Sequence, residues 1–266
     1  MSAILETQAL TRCFGALTAV DSVSLQVAAG EVFGLLGPNG AGKSTFIKML
    51  TTLLPPTSGR ATVAGLDIVR QASAVRHQIG YVPQMVSADG ALTGYENLLV
   101  FAKLYDLPKV DREARIRQSL VYMGLEEASD RLVRTFSGGM LRRLEIGMSM
   151  LHRPRLLFLD EPTVGLDPLA RDTVWEHIEQ LRLDYGTTIF LTTHYMEEAD
   201  NLCQRIAIMH RGSVAAIGTP EELKRSVGNA DVTLEQVFIH YAGEAIESGE
   251  GYREASRSRR TARRMG

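Results

Sequence analysis

The stretch EVFGLLGPNGAGKS, residues 31–44, constrains the fold more than any other part of the chain. A continuous apolar run of strand length stops at Gly37, and the pattern GxxxxGKS follows directly. Unbroken apolar runs fit strands buried on both faces of a parallel sheet. Gly37, Gly40 and Gly42 let backbone N–H groups wrap an anion, and the helix that opens next turns its positive end to the same place. Lys43 supplies a point charge to the outer phosphates, and the Ser44 hydroxyl can ligate Mg2+. A merely flexible glycine turn is the plain alternative, and it leaves the strand–turn–helix order unexplained.

Two further apolar runs, RLLFLD at 155–160 and TTIFLTTH at 187–194, read as strands of the same kind. Helical patterns follow the three runs at 43–53, 168–184 and 195–202. The class is therefore α/β, with ligands expected at the carboxyl ends of the strands. Ahead of this core, ILETQALTRCF and LTAVDSVSLQVAAGEV alternate apolar and polar residues, which predicts antiparallel strands. From about 90 to 152 the pattern is helical, and we read a helical insertion into an α/β domain spanning 3–242. Residues 243–266 are small and polar and end in a basic stretch: over 253–266, Arg253, Arg257, Arg259, Arg260, Arg263 and Arg264 face only Glu254. This predicts a disordered tail. Near an anionic leaflet it would gain about 1 kcal/mol per basic residue, and a tail simply solvated in water is the alternative.

Asp160 and Glu161 stand at the end of the second apolar strand. Two carboxylates there need positive company. Mg2+ held through Asp160 supplies it, and Glu161 can then polarise a water for attack on a γ-phosphate. An acidic pair capping a helix at Pro162 is the structural alternative. His194 ends the third strand, where the γ-phosphate is expected. His77, His152, His177, His210 and His240 have no such placement. By spacing alone Gln84, in GYVPQM, is a loop glutamine. TFSGGMLRR at 135–143 poses a separate problem: it is a second glycine turn opening a helix, far from the phosphate loop.

Bulk properties exclude little. The chain has 266 residues and a formal net charge of −2, so nothing global calls for nucleic acid. Cys13 and Cys203 have no partner spacing, which fits a reducing compartment. The start, MSAILETQALTRCF, lacks the pattern of a secretory signal. No apolar run approaches the ~20 residues that span a bilayer, so work at a membrane would need a second, membrane-spanning chain.

Over residues 3–242 the chain resembles the ATP-binding subunit of an ABC transporter. GPNGAGKS resembles the Walker A loop, LLFLDE the Walker B strand with its catalytic glutamate, and SGGM the ABC signature. Gln84 matches the Q-loop residue, Asp167 in GLD the D-loop, and His194 the switch histidine. The resemblance implies ATP and Mg2+ as cofactors. Gly37, Pro38, Asn39, Gly40, Ala41, Gly42, Lys43, Ser44 and Thr45 would hold the phosphates, and Ser44, Gln84 and Asp160 the metal. Glu161, His194 and Gln84 would be catalytic. Phe14 stands where an aromatic stacks on adenine, with a half-buried core role as its alternative. The resemblance further implies head-to-tail dimers. Ser137, Gly138 and Gly139 of one subunit would then face the γ-phosphate held by the other, which accounts for the second glycine turn, and Asp167 would also be nucleotide-binding. Implied partners are a membrane-spanning permease and a second ATP-binding subunit, at the cytoplasmic face of the membrane. FSGGM departs from the familiar LSGGQ: Met140 lacks the glutamine amide. FSGGMLRRLEIG, YGTTIFLTTHYMEEAD and TLEQVF resemble the drug- and polysaccharide-exporter branch, including daunorubicin-resistance types. A soluble ABC ATPase acting on nucleic acid or ribosomes is the alternative. A P-loop kinase or GTPase would leave the signature turn and His194 unexplained.

Overall fold

A computed structural model describes residues 3–228 and 232–247, and the arginines of the expected tail lie outside those residues. The first two strands, β1 (Ala3–Phe14) and β2 (Leu17–Ala28), form the expected antiparallel pair. They join β4 (Ser58–Val63) and β5 (Leu66–Asp67) in a sheet of order β2-β1-β4-β5.

The second sheet has the order β10-β9-β3-β8-β7-β6. Its strands are β3 (Val32–Leu36), β6 (Ile79–Val82), β7 (Leu156–Asp160), β8 (Thr188–Thr193), β9 (Arg205–His210) and β10 (Ser213–Gly218). All pair in parallel except β10, which runs antiparallel to β9. The unbroken apolar runs are explained by two cores, one on each face of this sheet. Phe33, Leu35, Phe158 and Phe190 point to one side. There they meet α1 (Lys43–Leu50) and the antiparallel sheet, and Phe33 stacks on Phe190 with ring centroids 5.5 Å apart. Val32, Leu36, Leu157, Leu159, Ile189 and Leu191 point to the other side.

That second core is covered by helices. Between β6 and β7 run α3 (Gly94–Leu104), α4 (Lys109–Tyr122) and α5 (Gly138–Met150), with two 3-10 turns between α4 and α5. Behind the sheet lie α6 (Pro168–Tyr185), α7 (Met196–Leu202), α8 (Pro220–Val227) and α9 (Leu234–Glu247). The helix starts are written locally. Thr93 and Thr219 each close a capping box with a glutamate three residues on, and Asp167 caps α6 ahead of Pro168. Helix α9 runs on to Glu247, past residue 243 where the tail was expected to begin. A short helix, α2 (Ala72–Gln78), completes the set. No helix among the described residues is long and apolar enough to cross a membrane.

Candidate active site

The strand β3 delivers the chain to Gly37, whose N–H donates to Thr193 O at 3.2 Å. The loop is then pinned from the turn between β9 and β10: Gly212 N donates to Ala41 O at 2.9 Å. Gly42 caps α1 with φ 105°, a left-handed conformation that suits glycine. A Cβ at Gly42 would also run into the Ala19 carbonyl. No side chain caps this helix start and no acid lies in its first turn, so its free N–H groups and positive end face the cleft. The loop Pro38–Thr45, with Gln84 and Glu161, encloses a cleft of about 350 Å³.

Lys43 is buried, and its Nζ donates to Gly37 O at 2.7 Å and to Pro38 O at 3.2 Å. It also lies 3.1 Å from Glu161 Oε1. Gln84 Nε2 donates to Glu161 Oε2 at 3.1 Å. His194 Nδ1 lies 3.3 Å from Glu161 Oε1 but is not aligned for a hydrogen bond, and it is a buried polar atom without a partner. Asp160 Oδ1 accepts from Ser44 Oγ at 3.2 Å and from Thr192 Oγ1 at 2.6 Å. The structure thus gathers Lys43, Ser44, Gln84, Asp160, Glu161 and His194 around one cleft.

These groups fit a phosphate ester. The loop is shaped for close backbone approach, Lys43 can leave two carbonyls for a better acceptor, and the orphaned His194 nitrogen can find one. They fit Mg2+ only in company: no group of three or more acidic, histidine or cysteine side chains among the described residues could hold a metal alone. Ser44 and Asp160 offer two oxygens, and phosphate would complete the shell.

Other expected site residues stand apart. Phe14 is 46% exposed at the end of β1, with the Arg12 guanidinium 4.6 Å over its ring, and does not line the cleft. Ser137 is exposed and caps α5, accepting from Met140 N at 3.3 Å. Asp167 caps α6, accepting from Ala170 N at 2.9 Å. A Cβ at Gly139 would lie 2.9 Å from Ala170 Cβ, so this glycine also lets α5 pack on α6 within the chain. Thr192 escaped the sequence reading, yet it donates to Asp160 and accepts from Glu161 N at 3.1 Å. Its signal was the strand register, which sets Thr192 beside Asp160.

The fold and the cleft define a P-loop phosphate-binding protein, and the comparisons with known proteins narrow the class. Residues 20–164 match the family model described as ABC transporter. The chain is 47% identical over 225 residues to the daunorubicin/doxorubicin resistance ATP-binding protein DrrA of Streptomyces peucetius, covering 85% of this chain and 68% of that protein. It is 42% identical over 243 residues to the linearmycin resistance ATP-binding protein LnrL of Bacillus subtilis (strain 168), covering 91% and 77%. A solved ATP-binding subunit of an ABC transporter matches with a TM-score of 0.80 at 31% identity, over 90% of this chain and 99% of that one. The chain belongs to the ABC transporter family, as an ATP-binding and ATP-hydrolysing subunit.

Proposed function

We propose that the chain binds Mg-ATP in the cleft around Lys43 and that two such subunits close head to tail over two nucleotides. The closure would drive drug export through a membrane-spanning permease, with this subunit at its cytoplasmic face. The observation that carries the reading is a division of labour. Lys43, Ser44, Asp160, Gln84 and Glu161 converge on one cleft, while the glycine turn at Ser137 opens an exposed helix elsewhere. A helix start of that kind suits an anion brought by a second copy.

In this reading the loop N–H groups hold the phosphates and Lys43 moves from Gly37 O and Pro38 O to the outer ones. Ser44, Asp160 and Gln84 would hold Mg2+, which when bound neutralises phosphate charge. Glu161 orients and polarises the attacking water. Gln84 and His194, both beside its carboxylate, fix that orientation. Export is supported by the relatives named for resistance to daunorubicin, doxorubicin and linearmycin. Nothing observed favours nucleic acid or ribosomes.

Dimerisation of purified protein tests the reading. With ATP, Glu161→Gln should elute as a dimer, because hydrolysis no longer removes the γ-phosphate. Adding Ser137→Arg should keep the chain monomeric while ATP affinity changes less than about threefold, since Ser137 does not contact its own nucleotide. Loss of ATP binding in the Ser137→Arg monomer would sink the claim.

A further inference from the structure

Helix α5 begins at the exposed Ser137 and runs into the core. Two charged side chains on it are almost fully covered: Arg142 is 7% exposed and Glu145 2%. A buried ion pair is tolerated only when its remaining polar atoms also find partners. Here those partners come from one segment, the loop that carries Gln84. Arg142 Nη1 donates to Pro83 O at 2.9 Å and to Glu145 Oε2 at 3.1 Å, and Nη2 donates to Gln84 O at 3.3 Å. Glu145 Oε1 accepts from Ser87 N at 2.5 Å and from Ser87 Oγ at 2.9 Å. The pair therefore grips the loop backbone on both sides of Met85 and Val86. From the same loop the Gln84 side chain reaches the other way, to Glu161 Oε2 at 3.1 Å.

We propose that Arg142 and Glu145 are positioning residues for ATP hydrolysis. Their clamp sets Gln84 against Glu161, and it links the glycine turn at Ser137 to the carboxylate of its own chain. The inference rests on the reading of Glu161 and Gln84 given above. Its physical basis is leverage. A guanidinium fork and a carboxylate fix two points of the loop, so a small movement of α5 moves the Gln84 amide with it. A misplacement of about 1 Å at such a group is costly for turnover and nearly neutral for binding. A pair that only glued α5 to the core would not need to act through Gln84.

The test is a mutant cycle on the purified full chain, reading ATP hydrolysis, affinity for a fluorescent ATP analogue and thermal unfolding. One arm removes both charges together, Arg142→Gln with Glu145→Ala, so that no lone charge stays buried. The second arm is Gln84→Ala, and the third combines all three changes. The first two variants should each lower kcat at least about tenfold, the charge-free pair with KM within about threefold, and the triple variant should be no slower than Gln84→Ala alone. Multiplying effects, or wild-type kcat in the charge-free pair, overturn the proposal. An unchanged kcat in Gln84→Ala overturns the underlying reading of the site, which is a distinguishable result. Should the charge-free pair not fold, Ser87→Ala removes one hydroxyl contact from the exposed side of the clamp. It should lower kcat about two- to fivefold, and the drop should vanish in the Gln84→Ala background. A drop that persists there overturns the proposal.

Discussion

Glu161 occupies a backbone conformation that L residues avoid, with φ 52°. Such a residue costs on the order of 1–2 kcal/mol and persists only where its surroundings over-determine it. Here Thr192 accepts from Glu161 N twice, through its carbonyl and its hydroxyl, both at 3.1 Å. The twist brings the carboxylate to Lys43, Gln84 and His194. The buried Lys43–Glu161 pair predicts two different mutant outcomes. Glu161→Gln should keep ATP binding and slow hydrolysis at least ~100-fold, the low end for losing a positioned general base. Lys43→Ala should instead weaken Mg-ATP binding itself. Equilibrium binding and single-turnover hydrolysis separate the two, and near-wild-type turnover in Glu161→Gln would overturn its role. The loop, the carboxylates and His194 were legible because each ends or follows an apolar strand. Thr192 was not, since its neighbour Asp160 comes from another strand and only the sheet register joins them.

At the scale of elements, the long buried strands could be read directly, because burial on both faces writes an unbroken apolar run. Elements with weaker patterns could not. Strand β4 buries only Ala61 and Val63, and α2 only Val75. Arg142 and Glu145 of α5 look like a solvated face until the loop at 83–87 covers them. The glycine turn was legible as a close approach, but not which approach. Gly139 gives a clean test of its intramolecular share. Gly139→Ala should lower stability by about 1–3 kcal/mol through crowding on Ala170. Ala170→Gly alone should cost about 1 kcal/mol in helix propensity, and in combination should recover part of the loss. Additive costs in thermal unfolding would show that α5 and α6 do not meet there.

Helix α5 also leads to a pH-sensitive joint. His152, just beyond it, stacks on Tyr105 with centroids 3.7 Å apart, and its Nε2 lies 2.9 Å from Ile79 O. Burial, the largest cause, pushes its pKa down to about 4. The unfolded chain, with its histidine near 6.5, then binds more protons at mildly acidic pH. Stability should be full above about pH 6.5 and fall as pH drops toward 4. Between pH 7 and 5 the loss from this group is on the order of 1–2 kcal/mol. His152→Phe keeps an aromatic ring against Tyr105 and should flatten that slope in pH-dependent denaturant unfolding. An unchanged slope would mean the ring is not buried neutral.

At the scale of the whole molecule, the sheet order places β3 between β8 and β9, so the phosphate loop, Glu161 and His194 gather at one set of strand ends. Ser137 opens a helix in the segment inserted between β6 and β7, and it does not line that cleft. A single chain therefore carries one nucleotide cleft and one separate glycine turn, and two chains related by a twofold axis would carry two complete sites. Mixing tests this geometry. A Ser137→Arg chain paired with a Lys43→Ala chain has one composite site with both lesions and one with neither, if the pairing is head to tail. Each homodimer has a lesion in both sites. With the proposed membrane-spanning partner present to hold the chains in pairs, hydrolysis measured against mixing ratio should be near zero at both ends and rise to a maximum near equal proportions. About half of the chains are then in mixed dimers, each with one intact site, so the maximum should approach about a quarter of the wild-type rate when sites act independently. Sites that assist one another would give less, but still more than either end. A flat profile would mean that Ser137 and Lys43 serve the same nucleotide in the same chain, or that no such dimer forms, and head-to-tail closure would be abandoned.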